Sequence, residues 1–117
     1  MPLDATTALN NMAAYLVTNA KVLRLHSADP GATANANANT TTASDVTVTL
    51  VNDGSGNLSV STVAFTGGAA SGACTYCSLW NTGTTVRYGR FTLSGDQTFN
   101  AAGQYTVTSL AVTGTAT

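Results

Sequence analysis

The chain has 117 residues, enough to bury one core and too few for two, with 44% hydrophobic residues, 8% charged residues and a formal net charge of -1. Charged residues make up about a quarter of an ordinary globular chain; here Thr, Ala, Ser, Gly and Asn take their place, Glu is absent, and five Asp accompany Lys21, Arg24, Arg87 and Arg90. This balance excludes nucleic acid and anionic membrane as electrostatic partners, since both need clustered positive charge, and its weak self-repulsion favours many copies packing side by side.

At the start, MPLDATTALNNMAAYLV lacks the basic n-region and unbroken apolar core of a signal peptide, and no stretch has the length of a membrane span. Folding in the cytoplasm is the expectation, with Cys74 and Cys77 as reduced thiols. Asp4 can cap a helix, and Leu9, Met12, Ala13, Leu16 and Val17 recur at spacings of three and four, which predicts an amphipathic helix over 5–19. Val22 to His26 alternates and predicts a short strand, and Ser27-Ala28-Asp29-Pro30-Gly31 carries the Asp, Pro and Gly of a turn.

Residues 32–44, ATANANANTTTAS, are low-complexity and hold no large apolar side chain, which predicts an exposed loop or arm. Either the arm is disordered, or it orders against a neighbouring subunit. From Asp45 the period becomes two. Strands are predicted over 46–51 and 58–65, paired across the Asn52 to Asn57 turn, and again near 73–80, 85–93 and 104–112. One helix followed by about six strands with Thr- and Val-rich composition predicts a mainly β single domain, an antiparallel β-sandwich of jelly-roll-like type.

Little in the chain suggests chemistry. Cys74-Thr75-Tyr76-Cys77 has the C-x-x-C spacing, but it falls in a strand-like segment where an offset of three puts the thiols on opposite faces, and His26 is the one further His or Cys ligand. His26 has Ser27 and Asp29 nearby, yet adjacent strand residues diverge and no nucleophile elbow is present, so a hydrogen-bonded residue at a strand end is expected. The five Asp sit at expected caps, edges and turns, and the Asn52 to Asn57 loop lacks the acidic run of a calcium site. Trp80 with Tyr76, or Tyr88 with Phe91, could form a sugar platform, although so few aromatics more often serve a core. No catalytic residue, no metal and no cofactor is therefore expected.

Three segments carry a family resemblance: Leu25-His26-Ser27-Ala28-Asp29-Pro30-Gly31, Leu79-Trp80-Asn81-Thr82-Gly83, and Phe99-Asn100-Ala101-Ala102-Gly103-Gln104-Tyr105-Thr106. In this order the chain resembles a family of short bacteriophage and prophage virion structural proteins, often labelled tail fibre-like, with "LHTADPG" and "F-x-A-A-G-x-Y-T" patterns. It departs from that family after Gly31, where the Asn/Ala/Thr arm replaces a glutamate-containing stretch.

The resemblance implies a virion component. A chain this short, without heptads or triple-helical repeats, cannot build a fibre shaft alone, which favours a capsid decoration or cement protein on the outside of the head over a tail fibre or tail-tip adhesion module. The expected partners are the major capsid protein or other virion proteins and further copies of the chain, as a trimer. Leu9, Met12 and Leu16 on the helix and Asn35, Asn37 and Asn39 on the arm are the candidate subunit contacts.

Overall fold

The computed structural model describes residues 5–60, 62–108 and 110–113; the expected cap at Asp4 lies outside them. Helix α1 spans Ala5–Asn19, matching the expected range. Its last turn is closed by its own side chains: Thr18 Oγ1 donates to the Ala14 carbonyl at 3.2 Å, and Asn19 Nδ2 to the Tyr15 carbonyl at 2.8 Å. Each side chain bonds back to the carbonyl four residues earlier, one turn before the helix end. The chain passes without a loop into strand β1, Ala20–His26.

Eight further strands follow among the described residues: β2 Val46–Thr47, β3 Val51–Asn52, β4 Asn57–Val60, β5 Val63–Phe65, β6 Tyr76–Asn81, β7 Arg87–Thr92, β8 Tyr105–Val107 and β9 Leu110–Thr113. Among the described residues all pairings are antiparallel, and the nine strands with one helix make the molecule mainly β. One sheet has the order β2-β1-β6-β7; β3-β4-β9 and β5-β8 form the others. The β4–β9 and β5–β8 ladders keep one register, Leu58 opposite Val112 and Val63 opposite Val107, which pairs the expected strands at 58–65 and 104–112.

Leu23, Leu25, Cys77 and Leu79 on one face of the four-stranded sheet join Leu58, Val60, Val63, Phe65 and Val107 in a single buried cluster. Phe99 and Leu93 extend it. Helix α1 adds Ala13, 2% exposed, and packs over the β3–β4 turn, where Asn10 Nδ2 donates to the Gly54 carbonyl at 2.7 Å. Only glycine suits position 56: its φ is +85°, and a Cβ there would lie 2.5 Å from the Cβ of Leu9. The Phe99 to Thr106 motif is explained in the same way. Gly103, at φ +73°, closes the Asn100–Gln104 turn so tightly against the Gly68 carbonyl that a Cβ would meet that oxygen at 2.1 Å.

Residues 32–44 form a mostly exposed loop, as expected, but one fastened within the chain and not a free arm. The Ala38 N–H donates to the Pro30 carbonyl at 3.0 Å and the Ser27 N–H to the Asn39 carbonyl at 2.8 Å, so the segment closes on itself as a compact loop with adjacent ends. Asn35 and Asn39 take positive φ, 61° and 56°, which asparagine tolerates better than most residues. The loop then runs back along β1, with a bridge between His26 and Thr40.

Candidate interaction surface

The register places Val22, Arg24 and His26 of β1 beside Trp80, Ser78 and Tyr76 of β6, on the face of the sheet opposite the apolar core. The centre of this second face is polar and still buried: His26 and Ser78 are 0% exposed and Trp80 is 2% exposed. Trp80 Nε1–H donates to Ser78 Oγ at 2.6 Å, Ser78 Oγ lies 2.6 Å from His26 Nε2, and His26 Nδ1 lies 2.9 Å from the Ala38 carbonyl. A carbonyl only accepts, so Nδ1 carries the proton, Nε2 is bare, and the Ser78 hydroxyl donates to it. Burial pushes the His26 pKa down, which keeps the ring neutral.

Arg87 fastens the loop onto this face, and Arg24 and Arg90 pair with the aspartates that flank it. The Arg87 guanidinium donates to the carbonyls of Gly31 at 2.9 Å, Ala36 at 2.8 Å and Thr33 at 3.1 Å, and the Arg87 N–H donates to Asn35 Oδ1 at 2.8 Å. Arg24 forks onto Asp45 at 2.9 and 2.7 Å and lies over the Trp80 ring, 5.3 Å from its centroid. Arg90 pairs with Asp29, whose carboxyl is held below its usual range by the Gly31 N–H and by Arg90. The arginines act as latches, not as a basic patch.

The sequence candidates scatter accordingly. Ser27 turns to the Asn39 carbonyl and Asp29 to Arg90, leaving Ser78, 52 positions away, as the hydroxyl on His26. Serine and imidazole are at nucleophile–base distance, yet the pair is sealed from solvent and its third partner is a carbonyl, so no substrate reaches it. Cys74 and Cys77 are free and 0% exposed, and desolvation pushes both thiols up to about 12, far from nucleophilic. Their expected placement on opposite faces is corrected: β6 begins only at Tyr76, so strand alternation does not run through Cys74, and both thiols enter the one core cluster.

Asp53 accepts from the Ser55 and Asn57 N–H groups and from Asn57 Nδ2, a turn lock that holds its carboxyl below the usual range. Among the described residues no group of three or more His, Cys, Asp or Glu is arranged to hold a metal ion.

Of the candidate subunit contacts, Leu9 lies against Gly56 and Leu16 packs partly against the core. Asn39 Nδ2 donates to the Asp29 carbonyl and Asn35 accepts from Arg87, so both side chains are engaged within the chain, while Asn37 stays exposed. Met12 is 63% exposed. Beside it stand Tyr15, 58% exposed, and Tyr88 of β7, whose rings meet edge-on with centroids 6.2 Å apart. Met12, Tyr15, Leu16 and Tyr88 with Asn11 line an open apolar groove of about 450 Å³ on a helix that contains no charged residue.

Tyr15 and Tyr88 are the members that periodicity missed. Tyr15 follows Met12 by three positions, which was a usable signal; Tyr88 is brought there by the sheet alone. No family model, curated protein or solved structure matches the chain.

Proposed function

We propose that this chain is a non-enzymatic structural component of a bacteriophage virion, bound in repeated copies to the outside of the head as a decoration or cement protein. The virion assignment rests on the resemblance of its three motif segments. The observation that carries the packing role is the groove of Met12, Tyr15, Leu16 and Tyr88, an apolar surface on an uncharged helix. Exposed apolar clusters rimmed by polar residues mark contact sites, and a net charge of -1 offers little repulsion between copies. The major capsid protein and further copies of the chain, as a trimer, are the partners. A module that binds only the assembled shell stabilises it by mass action, with weak contacts summed over many copies.

Binding to particles assembled without the chain tests this. The wild-type protein is expected to co-sediment with heads, and the double variant Met12→Asp with Tyr15→Asp to lose about tenfold in affinity with an unchanged circular dichroism spectrum. Wild-type protein that stays in the supernatant contradicts the proposal. Co-sedimentation with tails instead assigns the module to a tail fibre or tail tip and a role in host adhesion.

A further inference from the structure

Between the Ser94 to Thr98 loop, the Asn100–Gln104 turn and strand β8 runs an open groove of about 410 Å³ that shares no residue with the apolar surface of α1. That volume lies within the range of small-molecule sites. Its walls are braced from within. Asp96 Oδ1 accepts from the Thr98 N–H at 3.1 Å and the Thr98 hydroxyl at 2.7 Å, and Asn100 Oδ1 accepts from the Ala102 and Gln104 N–H groups, each at 2.9 Å. The Tyr105 hydroxyl donates to the Asp96 carbonyl at 2.6 Å, and its ring meets Phe99 edge-on at 6.3 Å. Asn100 Nδ2 donates to Gln104 Oε1 at 3.2 Å, which orients the Gln104 amide.

This bracing leaves a set of groups that take no hydrogen bond from the described residues: Asp96 Oδ2, Gln104 Nε2, and the hydroxyls of Ser94, Thr106 and Thr108. They combine acceptors, donors and amphoteric hydroxyls on a fixed frame. Among the described residues no basic side chain lines the groove and Asp96 is its one acid, so an anionic ligand would be repelled and a metal ion would lack charged ligands. A ligand that matches is neutral and dense in hydroxyls, because each of its OH groups can both donate and accept.

We propose that this groove binds a neutral carbohydrate, with Asp96 and Gln104 as the orienting contacts and Tyr105 as the apolar wall. The proposal stands independently of where in a particle the chain sits. A two-dimensional amide NMR titration of the full chain with galactose, N-acetylglucosamine and maltotriose tests it, with N-acetylneuraminic acid as the anionic control.

At least one neutral probe is expected to shift amides within 94–108, with a dissociation constant of about 10 mM or tighter. Asp96→Asn retains the Oδ1 turn bond and is expected to weaken binding about tenfold, as is Gln104→Ala, while Asn37→Ala leaves it unchanged. Absence of shifts with all three neutral probes overturns the proposal. So do shifts centred outside 94–108, equal binding of the anionic sugar, or full binding by both groove variants.

Discussion

The apolar face of the four-stranded sheet and the centre of its polar face are both buried, by opposite means. On one, Leu23, Leu25, Cys77 and Leu79 meet other apolar side chains and need no directional partner. On the other, His26, Ser78 and Trp80 form a one-way hydrogen-bond relay that ends on a loop carbonyl, under a cover made of Ala, Asn and Thr. The second solution needs every polar atom matched, because an unpaired buried donor or acceptor costs about 1–3 kcal/mol. It also explains the composition of the loop: small residues bring backbone carbonyls close to Arg87, and asparagines take the positive φ that the curvature requires. A sheet face can thus be closed by latched backbone where a second apolar layer is missing.

The contrast can be broken from either side. Leu79→Ala, at a site 1% exposed in the apolar face, is expected to destabilise the fold by about 2–5 kcal/mol in urea unfolding. Ser78→Ala removes a single oxygen from the polar face yet strands both Trp80 Nε1–H and His26 Nε2, for an expected loss of about 2–3 kcal/mol. A loss within experimental error would show that the relay is dispensable. Arg87→Met releases three carbonyls, and an expected cost of about 1–2 kcal/mol accompanies faster hydrogen exchange at the amides of Ser27, Ala36 and Ala38, with β6 still protected.

The smallest effect sharpens the comparison through pH. The folded pKa of His26 lies below its unfolded value of 6.5, so the folded state binds fewer protons; its contribution to stability is complete above about pH 6.5 and declines as pH falls toward the folded pKa. Unfolding at pH 7.5 and 5.5 is expected to show this decline in the wild type and to show it reduced in His26→Asn. Asp29 and Asp53, whose pKa values are lowered by their hydrogen bonds, lose their contributions in a separate window below the usual carboxylate value of 3.8.

Local structure was legible where it rests on period and turn chemistry. The spacing of Leu9, Met12, Ala13, Leu16 and Val17 predicts the helix that spans Ala5–Asn19, and Asp29 with Gly31 builds the expected turn, with the Gly31 N–H on Asp29 Oδ1 at 2.9 Å. What was not legible depends on partners far along the chain. Arg87 meets the loop across more than 50 residues and Ser78 meets His26 across 52, so neither spacing nor composition showed that the Asn/Ala/Thr segment is fastened down. The candidate contacts divide on the same ground. Met12 was found by helical spacing and is exposed, whereas Asn35 and Asn39 looked available because their long-range and turn-closing bonds leave no trace in a repeat of Asn and Ala.

Cryo-electron microscopy of intact phage particles, with this chain traced in the map, tests the virion role most directly. Density repeating on the capsid lattice is expected, with Met12, Tyr15 and Tyr88 covered by the neighbouring protein. Absence of the chain from purified particles would contradict it.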